Sequence, residues 1–174
     1  MKQKLFLILA MVSLFLALWV GPAGAEDADV SRATLAGLQG VSVVVEELQP
    51  NVLKYAAKFG LSKAQVQQDV EKMLRDAGIR IVAGNDWMKT PGRPVLHISI
   101  NTHETEKYWY AYDIKVELRQ LATLDASPQV KTLAVTWSLN MTGQANIGTL
   151  NVIRQDTGVM VGRFVQAWKA GNKR

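Results

Sequence analysis

Between Leu96 and Arg119 the chain alternates apolar and polar residues almost without a break. Leu96, Ile98 and Ile100 alternate with His97, Ser99 and Asn101. Tyr108, Tyr110, Tyr112, Ile114, Val116 and Leu118 then alternate with Trp109, Ala111, Asp113, Lys115, Glu117 and Arg119. A period of two marks strands buried on one face only, so this stretch commits the chain to an antiparallel sheet with a cover over its apolar side. The polar segment His103–Lys107 reads as a five-residue hairpin connection that pairs Thr102 with Tyr108. In that register Leu96 faces Ile114, Ile98 faces Tyr112 and Ile100 faces Tyr110. A slip of one residue would turn the whole apolar set to water.

The flanking segments supply the cover. Gly40–Leu48 is rich in β-branched residues, with Val41, Val43 and Val45 on one face and Val44 on the other, and reads as a central strand. Pro50–Gly60 holds a short helix through Val52, Ala56 and Phe59. Ser62 and Gln65 have the spacing of a capping box, and Leu61 and Val66 that of a hydrophobic staple. Val66, Val70, Met73, Leu74 and Ala77 form one helical stripe that Gly78 stops. Ile79–Val82 reads as a second strand, parallel to the first because a helix joins them. Gly84–Pro94, with Gly, Asn, Asp and two Pro around Trp87, reads as a loop.

Ala126–Pro128 reads as a turn, and Leu133, Val135, Trp137 and Leu139 alternate with Ala134, Thr136 and Ser138 in a further strand. Leu150, Ile153, Thr157, Met160, Phe164 and Trp168 form the stripe of a final helix that stops at Gly171. Gly158 and Gly162 inside it each cost roughly 1 kcal/mol relative to Ala, which calls for a close approach to the sheet or a partner as compensation. The expected fold is α+β: a largely antiparallel sheet of about five strands, in the order β-α-β-β-β-β-α, with two helices on one face and a polar, wet opposite face.

The first 25 residues read as an export signal. Lys2 and Lys4 precede an uncharged run of 16 residues, Leu5–Val20, which Gly21-Pro22 ends before the small residues Ala23-Gly24-Ala25. Sixteen helical residues reach only ~24 Å against a hydrocarbon core of ~30 Å, so this is a signal peptide (1–25) cleaved between Ala25 and Glu26 rather than an anchor. Residues 26–37 read as a flexible lead-in, with the first structured element near Leu38, and 38–171 as a single domain without a membrane span. Removing the signal takes away two lysines and no acids, which leaves 149 of the 174 residues with 18 Lys plus Arg against 15 Asp plus Glu. A surplus of three charges spread along an exported chain does not suit nucleic acid. The absence of Cys removes disulfides, thiol catalysis and zinc–thiolate sites.

The chain resembles a group of small bacterial secreted or periplasmic α+β proteins that have no assigned activity. The resemblance rests on Arg32-Ala33-Thr34-Leu35-Ala36-Gly37-Leu38 leading into Gly40-Val41, on Leu74-Arg75-Asp76-Ala77-Gly78-Ile79, on Pro91-Gly92-Arg93-Pro94, and on Ile153-Arg154 and Ala167-Trp168 in the last helix. It implies export and an α+β fold, and it carries over no catalytic residue.

Candidate site residues lie on the polar side of the alternating strands. His97 and His103 are six strand residues apart, ~20 Å, too far to share one metal ion. No phosphate-binding loop, dinucleotide fingerprint or metalloprotease motif is present, so no cofactor or metal is expected. In the register above His97 faces Asp113, with Ser99 two residues along, which are the residue types of a nucleophilic triad. A flat sheet face offers neither cleft nor oxyanion hole, and an ordinary cross-strand ion pair is the simpler reading. Tyr108, Tyr110 and Tyr112 share the parity of Ile114, Val116 and Leu118 and belong to the core. Trp109, among polar neighbours near Asn101, is the residue most suited to anchor a binding surface, unless it packs beneath the tail or the hairpin arm. Trp87, beside Lys89 and Arg93, poses the same question.

These readings converge on an exported, non-enzymatic accessory domain. It binds an envelope protein or a small ligand through the outer sheet face around Trp109, Asn101, His97 and Arg119, with Trp87 as a further contact. The alternative is a small exported hydrolase using His97, Asp113 and Ser99. A third possibility is association with anionic lipid headgroups through Lys169, Lys173 and Arg174. The oligomeric state is open.

Overall fold

The computed structural model describes residues 29–172. The expected export signal and cleavage point and the terminal Lys173 and Arg174 lie outside the described residues. Strands β2 (Val95–Glu106) and β3 (Trp109–Leu124) form the expected antiparallel hairpin. Strand β4 (Ser127–Asn146) adds antiparallel to β3, and β1 (Ser42–Val45) adds parallel to β2. Among the described residues the result is an open mixed sheet of four strands, in the order β1-β2-β3-β4, where the sequence suggested five.

Two expectations fail together at the β1 edge. β1 is an edge strand rather than a central one, and Ile79–Val82 contributes one parallel bridge, Val41 to Ile81, instead of a strand. The Val41 N–H donates to the Arg80 carbonyl and the Val82 N–H to the Val41 carbonyl, each at 2.9 Å. Gly40 permits this approach, because a Cβ there would stand 2.8 Å from the Arg80 carbonyl oxygen. The chain then leaves the edge into a short helix.

Five helices accompany the sheet among the described residues: α1 (Asp29–Ala33), α2 (Pro50–Ala56, extended by a 3-10 turn to Phe59), α3 (Lys63–Asp76), α4 (Gly84–Lys89) and α5 (Asn151–Gly171). The Ser62 hydroxyl accepts the Gln65 N–H at 3.2 Å, as expected of the cap. The Gln65 side chain accepts from that same hydroxyl, at 3.0 Å, rather than reaching the main chain. α4 falls where a loop was expected, since the stretch from Asp86 to Lys89 holds no breaker before Pro91 and the Thr90 hydroxyl closes the turn on the Asp86 carbonyl at 2.8 Å. The first element also begins ahead of Leu38. α1 starts at Asp29, and Leu35 is fully buried, its carbonyl accepting from Asn172 Nδ2 at 2.8 Å at the far end of the domain.

The apolar face of the sheet lies under α3 and α5. Val43, Val45, Leu96, Ile98, Ile114, Val116, Leu118 and Trp137 meet Val66, Val70, Leu74, Ile153, Met160 and Phe164 in one core. Trp137 stands edge-on to Phe164 with ring centroids 5.2 Å apart. A bidentate pair, Arg154 to Asp69, ties α5 to α3, with Nη2 to Oδ1 at 2.9 Å. Gly158 and Gly162 face Met73 of α3, so the close approach is to a helix rather than to the sheet. It is not tight, since a Cβ at either would find the Met73 side chain 3.8–3.9 Å away. No helix among the described residues is long and apolar enough to cross a membrane.

Candidate functional site on the outer sheet face

The hairpin fixes which polar residues meet, and it differs from the expected register by four residues. β2 and β3 run on to Glu106 and Trp109, the turn is only Lys107-Tyr108, and Thr105 is left over as a bulge. Leu96 therefore faces Leu118, Ile98 faces Val116 and Ile100 faces Ile114. An even shift leaves every side chain on its expected face while exchanging all its partners, so facing follows the expectation and neighbours do not, and on the outer face His97 and Ser99 are buried rather than wet. Tyr110 and Tyr112 are buried as expected. Tyr108 is not, because it forms the turn at φ +69°, exposed and edge-on to Tyr55 at 6.0 Å.

The new register disassembles the suggested triad. Asp113 faces Asn101, Ser99 faces Lys115 and His97 faces Glu117. Four strand residues, about 13 Å, separate Asp113 from the Glu117 position opposite His97. His97 is buried and contacts Glu46, Nε2 to Oε1 at 3.0 Å, while its Nδ1 lies 4.0 Å from Glu117 and has no hydrogen-bond partner. Arg119 occupies Glu117 instead, donating to Oε2 from Nε at 3.0 Å and from Nη2 at 2.6 Å.

Burial, followed by the nearby Arg119 cation, pushes the His97 pKa below its ordinary value, and the carboxylates of Glu46 and Glu117 oppose that shift without cancelling it. The folded state thus binds fewer protons here than the unfolded chain. The stability contribution is complete above about pH 6.5 and is lost as pH falls below it. Urea midpoints taken from about pH 7.5 down to about pH 5 should fall less steeply for His97→Gln than for the wild type. Parallel pH profiles would refute this assignment.

A second correction concerns β4. By parity alone Leu133, Val135, Trp137 and Leu139 share one face, but the ladder slips between Leu118 and Arg119. Leu118 pairs with Trp137, Arg119 pairs with Val135, and Thr136 is the extra residue. This bulge sends Trp137 and Leu139 into the core and turns Val135 and Leu133 to the outer face, where they are 50% and 47% exposed. Gln120 holds the bulge by donating to Thr136 Oγ1 at 2.8 Å and to the Thr34 carbonyl at 3.1 Å. The outer face is therefore not uniformly polar. An apolar band runs from Val44 (42% exposed) on β1 past half-buried Val95 to Val135, Leu121 and Leu133, with Arg119 in its middle.

The opposite half of the face, toward the hairpin tip, is polar and hollow. Ala111 lies between His103 and Gln144 in one cross-strand row, and Asn101, Asp113 and Thr142 form the next. These residues line a shallow cleft of about 760 Å³ with Gln49 at its margin. Gln49 and Asn51 take over the edge of β2 where β1 ends. Gln49 Oε1 accepts the Thr102 N–H at 2.9 Å, Gln49 Nε2 donates to Asn101 Oδ1 at 3.2 Å, and Asn51 Nδ2 donates to the Thr102 carbonyl at 2.7 Å. Nothing in the sequence pattern marked Gln49, Asn51 or Thr142, because their role depends on where β1 stops.

The structure thus puts Asn101 and Trp109 on the polar half, with Trp109 45% exposed, His97 at the boundary with the apolar band and Arg119 within it. Trp87 does not join them. It sits half-buried on α4 with its indole N–H enclosed and without an acceptor among the described residues. Among those residues no group of three or more His, Cys, Asp or Glu is placed to hold a metal ion. Compared with protein-family models and with curated proteins, the chain matches none.

Proposed function

We propose that this is an exported, non-enzymatic binding domain that docks a protein partner on the outer face of its sheet, over Val44, Val135 and Leu133 with Arg119 among them. One observation carries the reading: Val135 and Leu133, alternate residues of β4, are about one-half exposed on the outer face, and Val44 is two-fifths exposed on β1 across that face, with Arg119 and half-buried Val95 on the strands between them. Apolar patches of this kind beside an arginine are the composition of an interface core. β4 strengthens the case, since it is an edge strand from Ser127 to Asn146 in which Lys131 is the only charged residue. Long edges with so little charge are ordinarily covered. Action outside the cytoplasm is supported by the charged start, uncharged run and small-residue site of residues 1–25, and by the resemblance to exported bacterial proteins.

The test is crosslinked capture of the domain from an envelope extract, read by mass spectrometry. Wild type should retain a specific protein that Val135→Asp loses, because a carboxylate there places an unpaired charge in the interface. Val135 lies outside the core, so the variant should keep the urea midpoint of the wild type. Capture of the same proteins by both would overturn the assignment of this face.

A further inference from the structure

We infer that the hollow over Ala111 is a separate recognition site for a neutral polyhydroxylated ligand of the oligosaccharide class. This goes beyond the protein-docking reading and does not rest on it. Polar side chains on the two halves of the outer face are used differently. Near the apolar band they bond one another, Glu46 to His97 and Glu117 to Arg119. Around the hollow, His103, Asp113, Thr142 and Gln144 make no hydrogen bond or ion pair among the described residues, and Asn101 keeps its amide donors because Gln49 engages only its oxygen. Planar amide, carboxylate and imidazole groups present paired donors and acceptors at the spacing of adjacent hydroxyls, and several of them around one depression form a binding surface rather than scattered solvation.

The floor is set by size. Ala111 is the smallest side chain among its outward neighbours on β3 and stands between His103 and Gln144, so the centre of the three strands is depressed beneath taller walls. The volume of about 760 Å³ lies within the roughly 300–1,000 Å³ range of small-molecule sites. Trp109 occurs two residues from Ala111 on the same face, about 7 Å farther along the strand, and exposes an indole that can lie against the apolar face of a pyranose ring. Asp113 is the one formally acidic side chain lining the cleft, and no Lys or Arg lines it, so an anionic ligand finds no counter-charge.

Titrating the isotope-labelled domain with cellohexaose, chitohexaose and maltohexaose at millimolar concentration, followed by amide correlation spectra, tests the site. At least one sugar should give saturable shifts centred on the Trp109 indole N–H and the Asn101 and Gln144 side-chain amides. Ala111→Leu should reduce them at least tenfold in affinity by filling the floor, while its remaining spectrum stays dispersed and shows that the fold is intact. Should Ala111→Leu fail to fold, Trp109→Ala is the second variant, with the same expected loss. No saturable shift with any of the three sugars, or shifts that persist in the folded variant, would overturn the inference. Val135→Asp should bind sugar as wild type does, so failure of the hollow and failure of the protein-docking face are separable results.

Discussion

Trp137→Ala should cost about 3–5 kcal/mol of stability, whereas Val135→Ala, two residues away, should change it by less than about 0.5 kcal/mol. Trp137 is 1% exposed and meets Phe164 edge-on beneath α5. Truncating it removes a large apolar surface and leaves a hole that helices tied by Arg154 and Asp69 cannot readily close. Against a total of about 5–15 kcal/mol for a domain, the loss should bring the urea midpoint down by a large fraction. Val135 is half exposed because the Thr136 bulge has reversed its side. Equal losses for the two variants would mean that the alternation through Leu133, Val135, Trp137 and Leu139 is continuous and that the bulge is wrong. The same result would remove the apolar band on which partner docking rests.

Gly143→Ala should be the most damaging small substitution in β4, at about 1–3 kcal/mol. Tyr112 lies directly opposite Gly143, and its ring passes over the glycine so closely that an added Cβ would overlap it, with Cε2 only 2.9 Å away. The ring cannot simply swing aside. It is buried in the core, and its hydroxyl donates to the Asp156 carboxylate on α5. Burial and that hydrogen bond push the Tyr112 pKa up to about 12, so the phenol stays protonated as the donor through the neutral range. In a Tyr112→Leu background the ring is gone, and Gly143→Ala should then cost much less. A double-mutant cycle with no coupling energy would show that the glycine is not there for the tyrosine.

Local chemistry determined much of this protein before any tertiary contact. The Ser62 cap, the Leu61–Val66 staple, the stripe from Val66 to Ala77 and the stripe from Leu150 to Phe164 are set by residues within a few turns of one another, and the helices form where those signals stand. The face taken by each residue of β2 and β3 was equally legible, because burial of alternate side chains selects parity. The pairing within those strands was not. Every even slip keeps Leu96, Ile98, Ile114 and Val116 inside, and the choice fell to the Lys107-Tyr108 turn and the Thr105 bulge, which bring Glu117 rather than Asp113 to His97.

Other features came from contacts between distant parts of the chain. The Thr136 bulge is secured by Gln120 and by Thr34, which arrives from the start of the domain, and no local pattern records that encounter. The early end of β1 left the edge of β2 to Gln49 and Asn51, and so shaped the margin of the Ala111 hollow. Sequence alone settled the helix stripes and the parity of β2 and β3, since these depend on each residue and its near neighbours. Only the assembled sheet decided which polar groups meet and which aliphatics remain outside, since ladder register and bulge position are selected by the packing of the whole domain.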